Sequence, residues 1–245
     1  MKETANPIIG IVVRNVVEKG DSIFEINENY RIAVVEAGGI PLLICPTDNF
    51  NYGVSDFQET NRLNDIEREK FYKILSLCDG FVMTGGDSWY DYDEIICQYA
   101  YDFDLPLLGI CLGMQILANM DNFSHDRILD TTVLNKTNIN HCQINTKYVH
   151  RNILFPSKLK EIFNENEILV NSRHNYHVTE KDWFLTSCVS EDGLIEGIEI
   201  PDKFFMIGVQ WHPETMIFYN DKMKLLFKSL VDATIFVSKN KKLNK

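Results

Sequence analysis

"LPLLGICLGMQ", residues 105–115, decides the fold of this 245-residue chain. It opens as an apolar, strand-like run and passes, at Cys111, into a stretch of helical character. A strand that turns into a helix so abruptly belongs to an alternation of the two, and that alternation repeats outward. "PIIGIVV" (7–13), "IPLLIC" (40–45) and "GFVMTG" (80–85) read as further buried parallel strands. Between them, Tyr30, Ala33, Val34 and Ala37 recur at helical spacing and Gly38-Gly39 ends the pattern as a left-handed cap would. Phe71, Ile74, Leu75 and Cys78 repeat the spacing after an acidic start, "NDIERE", and a further helix-like stretch covers about 91–103. The expectation is an α/β fold: a mostly parallel central sheet flanked by helices.

The second half changes texture. "HCQINTKYVH", "EILVNS", "WFLTSCVS", "GLIEGIEI" and "FFMIGVQW" are short strand-like runs, interrupted by one helical window, "SKLKEIFN". They predict hairpins or an additional small mixed or antiparallel sheet packed beside the parallel one. A closing helix carries Met223, Leu226, Phe227 and Leu230 on one face. No repeat and no linker divides the chain, so residues 1–245 are read as a single domain.

Bulk composition excludes several function classes. With 24 Lys+Arg against 35 Asp+Glu the net charge is −11, which opposes binding to nucleic acid or to an anionic membrane. The basic tail of Lys239, Lys241, Lys242 and Lys245 reads as a solvated end. No run approaches the ~20 apolar residues of a membrane span, and no secretory leader is apparent, so a cytoplasmic protein is expected. Cys45, Cys78, Cys97, Cys111, Cys142 and Cys188 contain no C-x-x-C pair, which argues against both a zinc knuckle and a disulfide scaffold.

Cys111 therefore calls for a chemical explanation. "GICLG" is the thiol counterpart of the G-x-S-x-G elbow, in which glycines allow a sharp turn that exposes a nucleophile at the sheet's carboxyl edge. A helix N-terminus favours the thiolate, and the Leu112 N–H points where an oxyanion would form. "TGGD" offers a second donor, because Gly85 and Gly86 let backbone approach a substrate closely. Cysteine catalysis also needs a base, and "GVQWHPE" (208–214) supplies a candidate. On a strand over 204–212, His212 shares a face with Gly208 and Gln210, Pro213 keeps it extended, and Glu214 returns to orient the imidazole.

These residues resemble the class I glutamine amidotransferase-like hydrolases: "GICLGMQ" is similar to their nucleophile motif and "GVQWHPE" to their His-Glu motif, 101 residues on (212 − 111). "NYRIAVVEAGGIPLLICP" (29–46), with "PIIGIVV" before it and "VNSRHN" and "EDGLIEGIE" after it, resembles the gamma-glutamyl-gamma-aminobutyrate hydrolase branch, over about residues 7–232. The resemblance implies a flavodoxin-like fold and a Cys111, His212, Glu214 triad. In it Cys111 attacks the side-chain amide of a γ-glutamyl substrate, giving a thioester and an amine. His212 protonates the leaving group and then activates water. Gly86 and Leu112 match the oxyanion-hole positions. Gln115 matches the glutamine that holds the glutamyl end, and Asn171, Ser172, Arg173 and His174 match a substrate-facing loop; Gly85, where backbone comes close to the substrate, is a further substrate-binding candidate. No metal or organic cofactor is expected, since acyl transfer to a thiol needs neither.

The chain departs from the branch around the mouth of the site. Only "SWYDYDEIICQYAYDFD" follows the "GGD" strand, Tyr176 stands where the branch tends to have glutamine, and 119–140 lacks a glycine-rich continuation. Trp89, Tyr90 and Tyr92 suit either an aromatic wall for the leaving group or core packing. His174 and His177 sit two apart with no other ligand pattern, and His125, His141 and His150 read as surface or core residues. Three functions follow: a self-contained γ-glutamyl amide hydrolase acting on a small molecule, with a homodimer compatible; a glutaminase subunit feeding ammonia to a synthase partner; and a binding protein that leaves the triad unused.

Overall fold

The computed structural model describes residues 6–50, 52, 62–122, 131–133 and 138–243. His125 and Lys245, both read above, lie outside them. The first half is β1 (Ile8–Val12), β2 (Arg14–Glu18), β3 (Asp21–Glu25), α1 (Glu28–Glu36), β4 (Ile40–Ile44), α2 (Asp65–Leu75), β5 (Gly80–Met83), α3 (Asp91–Asp102), β6 (Leu107–Ile110) and α4 (Leu112–Leu117). After β7 (Thr131–Val133) come β8 (His150–Leu154), α5 (Lys158–Phe163), β9 (Glu167–Val170), β10 (Tyr176–Val178), β11 (Leu185–Ser190), β12 (Ile195–Glu199), β13 (Met206–Val209), α6 (Pro213–Met216) and α7 (Asp221–Leu243).

One nine-stranded sheet runs in the order β4-β1-β5-β6-β13-β12-β11-β8-β9. From β4 to β13 every pair is parallel; from β13 through β12, β11 and β8 to β9 every pair is antiparallel. The strands of the second half therefore continue the parallel sheet edge to edge instead of packing beside it. β13 joins the halves, because its backbone pairs with β6 on one side and β12 on the other. Two small antiparallel sheets stand apart, β2–β3 and β7–β10. "HCQINTKYVH" is not a strand until His150: Thr146 turns back to Gln143, and only Cys142 forms an isolated bridge, to Arg173.

Burial follows from this order. β1, β5, β6 and β13 are covered on both faces, which is why they read as continuous apolar runs. One face packs Ile9, Ile11, Ile110, Val209 and Trp211 against Tyr30, Leu226, Phe227 and Leu230; the other packs Phe81, Met83 and Leu107 against Phe71, Leu75 and Ile96. β4 reads as equally apolar, but it is the edge strand, and Ile40 and Leu43 are exposed. Gly38, at φ +92°, takes the left-handed turn after α1 that its sequence promised.

β1 is flanked by β4 and β5, so the connections leave it in opposite directions. In such sheets the crevice for a ligand opens at the carboxyl ends of the strands where that reversal occurs. Arg14 follows β1, Thr84–Gly86 follow β5, Cys111 follows β6, and His212 lies just beyond β13.

Candidate active site

Cys111 stands between β6 and α4 with φ +53° and ψ −108°, a conformation that non-glycine residues rarely adopt. The flanking glycines do not take the positive φ; they clear space. A Cβ on Gly113 would lie 2.3 Å from the Met83 carbonyl oxygen, and one on Gly109 would lie 2.7 Å from the Gly113 oxygen. The cysteine itself makes the turn, anchored by its N–H to the Val209 carbonyl at 2.8 Å. This is the strained geometry of a nucleophile elbow.

His212 faces Cys111 from just beyond β13 and occupies the position before α6. Its Nδ1 lies 2.7 Å from Glu214 Oε1, and Glu214 is buried. The backbone at His212 is clamped from both sides by Asn171: Oδ1 accepts the His212 N–H at 2.8 Å, while Nδ2 donates to the His212 carbonyl at 3.0 Å. Gly85 lies where the two side chains meet, since a Cβ there would come within 2.7 Å of His212 Cε1 and 3.3 Å of Cys111 Cβ.

Charge in this cluster is set by neighbours. Burial lowers the His212 imidazolium, but the Glu214 carboxylate and the Cys111 thiolate override it and raise the group to about 10. Burial raises the Cys111 thiol, yet the His212 imidazolium and, more weakly, His174 bring it below its ordinary range. The other buried thiols go the opposite way: burial pushes Cys78 up to about 12 and takes Cys97 and Cys188 well above their usual value. The arrangement can hold a thiolate–imidazolium pair with a buried carboxylate behind it.

Two cavities meet at Gly86, Asp87 and Arg173. One, about 320 Å³, is lined by Cys111, Leu112, Gln115, Trp89, His174 and Tyr176; the other, about 220 Å³, by Arg14, Asn15, Asn27, Tyr30, His212 and Glu214. Leu112 and Gly86 both border the first, and the Leu112 N–H, opening α4, has no partner within that helix. Gln115 lines the same cavity while its Nε2 donates to the Tyr176 carbonyl and to Gln210 Oε1. Arg173 lines both cavities. Gly85 reaches the second, but its N–H goes to the Tyr30 hydroxyl at 2.9 Å.

The expected substrate-facing loop divides. Asn171 and Ser172 are fully buried and touch neither cavity; Asn171 instead positions His212, because both of its amide ends are used on that segment. Ser172 packs its hydroxyl 3.2 Å from His141 Nδ1. Trp89 lines a cavity, whereas Tyr90 and Tyr92 are buried, stacked on each other and set edge-on to Tyr52. His174 has company that its sequence did not reveal: His141, His150 and Glu196 surround it, all buried.

One residue missed by sequence reasoning is Arg14. Buried beyond the end of β1, it bonds Asp93 at 2.6 Å and Thr84 through both its Oγ1 (3.0 Å) and its carbonyl (2.8 Å). Its aliphatic stem lies so close to Gly86 that a Cβ there would come within 2.9 Å of Arg14 Cδ. It thus braces the Thr84–Gly86 turn. A charged residue abutting an apolar strand was the available signal.

Comparison with known proteins identifies the family and the fold. The family model Peptidase C26 matches residues 88–214. A glutamine amidotransferase-like protein of Rickettsia prowazekii is 29% identical, over 87% of this chain and 90% of the relative. The CTP synthase of Lactobacillus helveticus is 32% identical, over 69% of this chain but only 36% of the synthase. Among solved structures, a GMP synthase subunit protein from Thermoplasma acidophilum superposes with a TM-score of 0.63 at 18% identity, covering 96% of this chain and 98% of that one. The glutaminase domain of Trypanosoma brucei CTP synthase, with acivicin bound, gives 0.62 at 17%, covering 93% of each. At these identities the structural likeness speaks for the fold.

Proposed function

The chain belongs to the Peptidase C26 family, a premise that makes it a hydrolase of amide C–N bonds, and we propose that it cleaves a γ-glutamyl amide to glutamate and an amine through a thioester on Cys111. The observation that carries this reading is the strained, thiolate-favouring Cys111 facing a histidine that a buried glutamate orients. Cys111 Sγ attacks the amide carbon, and the Leu112 and Gly86 N–H groups receive the charge on oxygen. His212 passes its proton to the departing nitrogen, then takes one from the water that opens the thioester.

The two cavities suggest how a substrate lies. Its glutamyl end enters the Cys111 and Gln115 side, and the amine leaves through the His212 side, where Arg14, Asn15, Asn27 and Arg173 make a polar wall. This favours a self-contained enzyme of the gamma-glutamyl-gamma-aminobutyrate hydrolase kind. A second reading, glutamine hydrolysis for a synthase partner, draws on the resemblance to CTP synthase.

Glutamate release from glutamine, γ-glutamyl-aminobutyrate, γ-glutamyl polyamines and nucleotide- or sugar-linked γ-glutamyl amides separates them. The hydrolase reading expects rapid turnover of one amide by the protein alone, abolished in Cys111→Ala. Feeble glutamine turnover that rises only with a partner supports the second. Turnover that survives Cys111→Ala overturns both.

A further inference from the structure

Behind the Cys111 cavity, three histidines and a glutamate converge from distant parts of the chain: His141 from a loop, His150 opening β8, His174 in the loop before β10, and Glu196 in β12. Each is at least 97% buried, and one ligand atom from each lies within 4.8 Å of all the others. Glu196 Oε1 is 3.2 Å from His174 Nε2, 3.6 Å from His141 Nδ1 and 3.8 Å from His150 Nε2. Ligands held about 2.0–2.1 Å from a tetrahedral zinc ion stand roughly 3.3 Å apart. The cluster matches that spacing with little contraction.

The hydrogen-bond pattern points the same way. Both Glu196 oxygens, His150 Nε2 and His174 Nε2 are buried without a hydrogen-bond partner. The His174–Glu196 pair is close enough for a bond but is not aligned for one. Three of these atoms, Glu196 Oε1, His150 Nε2 and His174 Nε2, converge at one buried point; leaving them unsatisfied is costly, and a cation among them would satisfy all three.

Each ring also has its other nitrogen committed outward. His141 Nε2 meets the Asp192 carboxylate at 3.2 Å, His174 Nδ1 donates to the Tyr176 carbonyl at 2.9 Å, and His150 Nδ1 to the Arg151 carbonyl at 3.4 Å. A donor hydrogen on those outer nitrogens leaves the inner ones with lone pairs, which is how metal-ligating histidines are oriented. The Ser172 hydroxyl flanks His141 Nδ1 at 3.2 Å.

We propose that His141, His150, His174 and Glu196 bind one divalent transition-metal ion, zinc fitting best. Three imidazoles exclude the oxygen-seeking calcium and magnesium, and four protein ligands make a closed, structural site. The ion would clasp the 171–176 segment to β12 and the 141–150 loop. That segment carries Asn171, which clamps His212, and His174, which lines the Cys111 cavity, so the site lies one layer behind the reacting groups.

The test does not use turnover. Full-length protein from zinc-supplemented cells is assayed for metal, then stripped with a chelator, blocked at its reactive thiols with iodoacetamide, and titrated with Co²⁺ followed by Zn²⁺. We expect one equivalent of zinc as isolated, then one equivalent of Co²⁺ with tetrahedral d–d bands and no thiolate charge-transfer band, displaced by Zn²⁺. Zinc should also raise the melting temperature of the stripped protein with concentration. Asp192→Asn should weaken zinc by about 10–100-fold, and His150→Ala or Glu196→Gln by more than about 100-fold. His177→Ala, whose ring turns to Val178, should bind as the parent does. A protein that is metal-free as isolated and takes up neither ion, a charge-transfer band showing cysteine ligation, or ligand variants with parental affinity would each overturn the site.

Discussion

At Cys111 two physical effects oppose each other, and the neighbour wins over burial. Its thiol is surrounded much as Cys97 and Cys188 are, yet only at 111 does an imidazolium lie alongside, and only there does the thiol fall. The sign gives a pH prediction. A lowered thiol stays ionised as pH falls below the ordinary cysteine range, so iodoacetamide should keep alkylating Cys111 at its plateau rate to lower pH than it does a free cysteine. That rate should drop only as pH falls through the shifted thiol value. In His212→Asn the main opposing charge is gone, burial and the Glu214 carboxylate face only the weaker pull of His174, and the midpoint should move above that of a free cysteine. Each unit of that rise removes tenfold of the thiolate present at neutral pH. A pH–alkylation profile for the two proteins, read by mass spectrometry at the Cys111 peptide, decides it; superimposable profiles would show that His212 does not set the thiol.

The turns at the strand ends keep these groups in register, and one buried ion pair braces the most exposed of them. Arg14 holds Thr84 and, through it, the turn that presents Gly86, while Asp93 at the start of α3 neutralises Arg14 at 2.6 Å. Asp93 also accepts the Tyr90 N–H at 2.9 Å, so one carboxylate caps the helix and pairs the arginine. Its removal strands a buried guanidinium. Asp93→Ala should therefore cost about 3–5 kcal/mol, the range for breaking a buried pair from one side. The double variant Arg14→Met, Asp93→Ala should recover part of that loss, because the uncompensated charge goes with it. Urea denaturation of the three proteins measures both effects. A single-variant loss under about 1 kcal/mol would mean that Arg14 finds water or another partner once Asp93 is gone.

Across the whole molecule, what could be read from sequence was what local pattern encodes. Continuous apolar runs gave β1, β5 and β6, the 3.6-residue spacing gave α1, α2 and α7, and the paired motifs led to Cys111, His212 and Glu214. Pairing partners were not legible: nothing in "GLIEGIEI" says that β12 extends the parallel sheet, because that depends on which edge β13 leaves open. The edge position of β4 was hidden for the same reason, and so was the meeting of His141, His150, His174 and Glu196, whose spacing along the chain follows no ligand pattern. The same separation of core from rim yields a last prediction. Leu226, Phe227 and Leu230 of α7 pack on one sheet face against Ile9, Ile11 and Val209, whereas the reacting groups lie at the strands' carboxyl ends. Leu226 is fully buried, so Leu226→Ala should cost about 2–5 kcal/mol through lost burial and the cavity left behind. For a chain of this size each kcal/mol lowers the melting temperature by about 2–4 °C. The rate of Cys111 alkylation at 25 °C should nonetheless match the parent, since the sheet that positions Cys111 stays folded well below the new midpoint. Calorimetry beside the alkylation assay tests both halves, and a slowed alkylation at 25 °C would mean that α7 packing reaches the strand ends.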